Sequence, residues 1–78
     1  MNKDNEIAAC IERAMAAYIR DLDGENPVGV YDMVLACVEL PLIETMLSFA
    51  EGNQTRAADY LGINRNTLRK KMARYGIQ

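Results

Sequence analysis

The sequence predicts an all-α fold of four helices per chain, two long ones followed by a C-terminal helix-turn-helix. Three observations lead there. Apolar residues recur at helical spacing between Ile7 and Leu22, and an almost continuously apolar run fills residues 30–50. Two short helical segments then flank a glycine-containing turn at residues 62–64.

The first helix is expected over residues 7–22. Ile7, Ile11, Ala14, Met15, Tyr18 and Leu22 form one stripe with Cys10 at its flank, while Glu12, Arg13 and Arg20 lie off it. Residues 21–27 break the period with Gly24, Asn26 and Pro27, a loop of ordinary length.

The second helix is expected over residues 30–50, where only Asp32, Glu39, Glu44, Thr45 and Ser48 are polar among residues 31–50. One face is built from Tyr31, Val34, Leu35, Val38, Leu42, Met46 and Phe49, and another from Met33, Cys37, Leu40, Ile43, Leu47 and Ala50. A helix apolar on most of its circumference must be covered on several sides. One amphipathic helix and two short ones cannot enclose a length of ~30 Å. A second copy of the chain is the simplest cover. Pro41 predicts a kink, since its ring removes a ladder hydrogen bond and crowds the previous turn.

After that, Gly52 suits a left-handed helix end and Asn53 an N-cap. A short helix from Gln54 or Thr55 to Leu61 turns Ala57, Ala58 and Leu61 inward. Ala58 must be small because the next helix crosses close by, and Gly62 supplies the positive φ of the turn. Asn64 caps a last helix running from Arg65 to about Tyr75, and Gly76 closes it. Ile63, Leu68 and Met72 fill the wedge between the two short helices. The chain thus reads as dimerisation helices over residues 1–51 and a helix-turn-helix over residues 52–78, in one compact domain.

Composition excludes several classes. There is no histidine, and the two cysteines, Cys10 and Cys37, lack metal-binding spacing, so neither a metal site nor a disulfide framework is expected. Without histidine, a glycine-rich phosphate loop or a carboxylate pair, no catalytic residues, no cofactor and no enzyme activity are expected. Cys10 and Cys37 read as buried small hydrophobes. Met15, Met33, Met46 and Met72 read as core, and Tyr18 and Tyr31 as core residues with a polar tip at the edge. The polar, acidic start is no secretory signal, and Glu39, Pro41 and Glu44 interrupt the apolar run short of a membrane span. A cytoplasmic protein with no membrane partner is expected.

The net charge of −2 conceals an asymmetry. Residues 1–51 carry a balance of −7, whereas residues 52–78 set Arg56, Arg65, Arg69, Lys70, Lys71 and Arg74 against Asp59 alone, a balance of +5. A Debye length of ~8 Å lets the basic half act on a polyanion despite the acidic remainder. With Leu68, Met72 and Tyr75 inward, Arg65, Asn66, Arg69, Lys70, Ala73 and Arg74 occupy the outer side of the last helix. A recognition helix places its N-terminal residues near base edges. There Arg65 suits guanine, and Asn64 or Asn66 suits adenine. Lys70, Lys71 and Arg74 suit flanking phosphates, while Asn53 and Thr55 suit a phosphate at the start of the preceding helix. Double-stranded DNA is the expected partner.

The runs Gly52-Asn53-Gln54-Thr55-Arg56-Ala57-Ala58, Leu61-Gly62-Ile63-Asn64-Arg65, Thr67-Leu68-Arg69-Lys70-Lys71 and Tyr75-Gly76 closely resemble the C-terminal half of the bacterial Fis family. The same helix-turn-helix closes the nitrogen-regulatory enhancer-binding activators. The resemblance extends through Leu40-Pro41-Leu42, Val30-Tyr31, Leu22 and Tyr18, and is most specific over residues 52–77. It implies an intertwined homodimer whose two recognition helices stand closer than one DNA turn. Binding then bends DNA and favours a compressible minor groove, the behaviour of a sequence-tolerant, nucleoid-associated transcriptional regulator. Carried over by position, the DNA-contacting set is Asn53, Thr55, Asn64, Arg65, Thr67, Arg69, Lys70, Lys71 and Arg74.

Departures from the family matter as well. Asn66 stands where glycine is usual, and Ala73 replaces a basic residue. Glu51 is acidic where a basic residue is usual in the turn that touches RNA polymerase, which counts against activation by that contact. About six residues precede the predicted first helix, too few for the mobile arm that stimulates recombinases. The competing function is a dimerisation or protein-interaction module, the C-terminal domain of a larger enhancer-binding activator. Such a module would not shift a duplex centred on A/T pairs.

Overall fold

The computed structural model describes residues 3–78, with side chains from residue 5 onward; Met1 and Asn2 of the polar lead-in lie outside the described residues. Among the described residues the chain is all-helical: α1 (Lys3–Leu22), α2 (Val30–Phe49), α3 (Gln54–Leu61) and α4 (Arg65–Tyr75). The first helix starts a turn earlier than the apolar stripe alone indicated, because a polar, acidic lead-in continues a helix without needing an apolar face. No helix among these residues is long and apolar enough to cross a membrane.

The chain divides into two compact units, residues 1–30 and residues 31–78. In the first, Ile11, Met15, Tyr18 and Leu22 are half-buried along the predicted stripe, whereas Ile7 and Ile19 are exposed. In the second, α2 joins the helix-turn-helix. The core consists of Ile43, Leu47, Ala50, Ala57, Ala58, Leu68 and Met72, with Leu61, Ile63, Tyr75 and Ile77 packed against it. Of the two apolar faces predicted for α2, the one carrying Ile43, Leu47 and Ala50 meets α3 and α4. Tyr31, Val38, Leu42 and Phe49 of the other face are exposed.

Helix length limits how much of α2 is covered. At 1.5 Å per residue α3 and α4 span roughly 12 and 16 Å, so they cover only the C-terminal half of α2. Three expectations of burial are corrected. Cys10, on α1, and Cys37, on α2, are both exposed free thiols rather than buried ones. Tyr31 is 77% exposed, because it sits at the end of α2 that the short helices do not reach. α2 continues through Pro41 as helix.

Each of the last three helices ends in the same hydrogen-bond pair. At the end of α3 the Gly62 N–H donates to Asp59 O (3.2 Å) and the Ile63 N–H to Ala58 O (3.1 Å), with Gly62 at φ 76°. At the end of α4, Gly76 and Ile77 donate to Ala73 and Met72 in turn. At the end of α2, however, the left-handed cap falls on Glu51 (φ 57°), one residue before the glycine expected to hold it. Glu51 N–H donates to Ser48 O (3.0 Å) and Gly52 N–H to Leu47 O (2.9 Å). Gly52, at φ 82°, then turns the chain a second time into Asn53.

Candidate nucleic-acid interface

Caps fix both short helices. Asn53 Oδ1 accepts a hydrogen bond from the Arg56 N–H at 3.0 Å, and Asn64 Oδ1 accepts one from the Asn66 N–H at 2.7 Å. Each cap satisfies one of the N–H groups a helix start leaves open. With those carbonyl oxygens engaged, the exposed Asn53 and Asn64 keep amide N–H₂ donors, the polarity that suits phosphate or a base acceptor. Reading adenine needs donor and acceptor from one amide. Asn66, exposed one turn-step further along α4, has both ends available.

α4 packs on the core through one flank. Leu68 is wholly buried and Met72 nearly so. Their burial leaves Arg65, Asn66, Thr67, Arg69, Lys70, Ala73 and Arg74 exposed. The helix, RNTLRKKMARY, carries no carboxylate, so nothing on its own surface neutralises its cations. Its open N-terminal amides and positive dipole end add to a field that favours an anion. Of the nine residues expected at the interface, Asn53, Thr55, Asn64, Arg65, Thr67, Arg69, Lys70 and Arg74 are exposed around α3 and α4, which pack on each other.

Lys71 stands apart. Its Nζ donates to Glu39 Oε2 of α2 at 2.9 Å, and its side chain is 27% exposed. The Tyr75 hydroxyl donates to Glu39 Oε1 at 2.5 Å. These two hydrogen bonds, Tyr75 first and Lys71 second, hold the Glu39 carboxyl below the usual carboxylate value. The bond to Glu39 likewise raises the Tyr75 phenol above its ordinary value. Sequence reasoning singled out neither Glu39 nor this contact. Glu39 stands 32 and 36 residues from its partners, so no local pattern connects them. The only available sign was a carboxylate in an apolar run.

Tyr60, whose role the sequence left open, lies 49% exposed with its ring 5.4 Å from that of Phe49 at an interplanar angle of 53°. The pair ties the outer side of α3 to the end of α2. No cluster of metal-ligating side chains occurs among the described residues.

Fold and surface together define a helix-turn-helix protein whose last helix carries a cationic exposed side. Residues 34–75 match the family described as bacterial regulatory protein, Fis family. A Fis-like DNA-binding protein of Ralstonia nicotianae is 59% identical over 73 residues, covering 94% of this chain and 95% of that protein. The DNA-binding protein Fis of Glaesserella parasuis is 43% identical over 74 residues, or 95% of this chain and 76% of that protein. A Fis-like DNA-binding protein of Neisseria meningitidis serogroup A is 47% identical over 72 residues, 92% and 91% of the two chains. The chain belongs to the Fis family.

Proposed function

We propose that this protein binds duplex DNA as a homodimer through its helix-turn-helix, bends it, and acts as a sequence-tolerant nucleoid-associated regulator of transcription in the cytoplasm. The observation that carries the reading is α4: wholly buried through Leu68 on one side and exposing Arg65, Asn66, Arg69, Lys70 and Arg74 on the other. The names of its relatives support DNA as the ligand. The uncovered apolar side of α2, with Val38 and Leu42 exposed, supports a second copy of the chain as its cover.

In this mechanism cations and helix starts dock on phosphates. Lys70, Arg74, Thr55, Asn53 and the α3 amides position the reading helix, with Thr67 and Arg69 along the groove wall. Arg65 and the neighbouring Asn64 make sparse base contacts, so most of the selectivity comes from how easily the duplex deforms. If each protomer neutralises ~4 phosphates, the logarithm of the binding constant falls with the logarithm of salt at a slope of about −7.

The test is a gel-shift series on random and A/T-centred duplexes at two salt concentrations, with molar mass by light scattering. Dimer mass with steeply salt-dependent binding that prefers the A/T-centred duplex is expected. A monomer, or a dimer indifferent to duplexes at low salt, overturns the proposal and favours a protein-interaction module.

A further inference from the structure

Lys71 sits on α4 beside the buried stripe, about 60° around the axis from Leu68, and Tyr75 lies one turn further along the same flank. Both reach one carboxylate of a different helix. Glu39 is 16% exposed, and each of its oxygens accepts a hydrogen bond from α4. Glu39 and Lys71 also line an open hollow together with Leu42, Ile43, Leu61 and Ile63, so the ion pair stands at the edge of an incompletely filled seam. Three of the seven core residues, Ala50, Ala57 and Ala58, are alanines, which interdigitate less than longer side chains do. A two-pronged polar strap resists rocking where small side chains cannot.

We propose that Glu39 is a positioning residue for the reading helix, holding Lys71 and Tyr75 so that α4 stands at a fixed angle on α2, and that Lys71 is a strut rather than a phosphate ligand. This rests on the DNA-binding reading above. The phosphate contacts proposed for α4 come from long, adaptable side chains, Lys70 and Arg74, and tolerate a small tilt. Base contacts require a helix placed to within a fraction of an ångström. The angle of α4 also sets how far paired reading helices must deform the duplex between them, so the strap governs discrimination between duplexes more than bulk affinity.

The experiment compares Lys71→Gln, Lys70→Gln, Glu39→Gln and Tyr75→Phe in the full chain. It measures affinity for random and A/T-centred duplexes across a salt series, with helicity checked by circular dichroism. Lys70→Gln removes one phosphate contact per protomer and is expected to flatten the salt slope on random duplex by ~2 in a dimer. Lys71→Gln is expected to leave that slope unchanged while lowering the ratio of A/T-centred to random affinity about three- to tenfold. Tyr75→Phe, which keeps the packed ring and loses only the hydroxyl, lowers the same ratio in the same direction.

A slope flattened by Lys71→Gln as much as by Lys70→Gln, or a ratio unmoved by both Lys71→Gln and Tyr75→Phe, overturns the strut. A separate reading needs no DNA: the part of the ultraviolet phenol titration that Tyr75→Phe removes should fall back toward the ordinary phenol value in Glu39→Gln. If the wild-type protein binds no duplex, the functional reading fails while that titration still reports the strap. An unmoved titration refutes the strap itself.

Discussion

Glu51 occupies a backbone conformation that favours glycine, and its replacement gives a sharp test of the turn into the helix-turn-helix. At φ 57° a side chain with a Cβ meets its own carbonyl oxygen, which costs roughly 1–2 kcal/mol. Glu51→Gly removes that strain but gives the unfolded chain extra freedom, which costs back roughly 0.4–1 kcal/mol. The negative charge at the end of α2 opposes the helix dipole, so its loss returns a few tenths more. The net expectation is a stabilisation of about 1 kcal/mol, or roughly 4–8 °C in Tm for a chain of this size. The assay is a thermal melt by circular dichroism at fixed protein concentration, because association makes Tm concentration-dependent.

Two controls separate the causes. Glu51→Ala keeps the strained backbone and removes only the charge, so it should move Tm by a small fraction of the glycine effect. Gly52→Ala places a Cβ at φ 82° with no atom nearby to meet it, so any loss there is backbone strain alone. If Glu51→Ala stabilises as much as Glu51→Gly, the charge rather than the left-handed cap is responsible and the reasoning fails.

Three other perturbations probe different links between structure and function. Arg65→Ala should weaken binding by ~1–3 kcal/mol per half-site and relax base preference; an unchanged gel-shift titration would remove Arg65 from the reading position. Leu68→Ala empties a wholly buried site and should cost ~2–5 kcal/mol, read as an early-melting helix-turn-helix. Stability should also depend on pH through Glu39, which faces Lys71, Tyr75 and Arg74. Its carboxyl is depressed in the folded chain, so its contribution is present above about 4.5 and lost as pH falls below it. Tyr75, raised from 10.0, contributes below that pH and loses its contribution as pH climbs past it. Melts of wild type and Glu39→Gln should therefore converge at acid pH, and parallel curves would refute the linkage.

Much of the helix-turn-helix was legible because its determinants are local. Asn53, Gly62, Asn64 and Gly76 act within one helical turn, and a cap or a left-handed residue is set by backbone chemistry a few residues wide. Leu68 and Met72 followed from spacing alone. The αL position at the end of α2 was placed one residue late, since Gly52 is the better left-handed residue but the hydrogen bonds to Ser48 and Leu47 put the cap on Glu51.

The sequence by itself determined four helices, the direction of the charge asymmetry and the composition of the α4 surface, all of which depend on neighbours in the chain. Tertiary structure alone decided which face of α2 is buried, that Cys10, Cys37 and Tyr31 remain exposed, and that Lys71 turns from the outer surface to Glu39. The outcomes on α2 and α4 depend on how far two short helices reach along a longer one, and on partners more than thirty residues away. Periodicity tells that a side chain has a face; only the packed helices tell what that face meets.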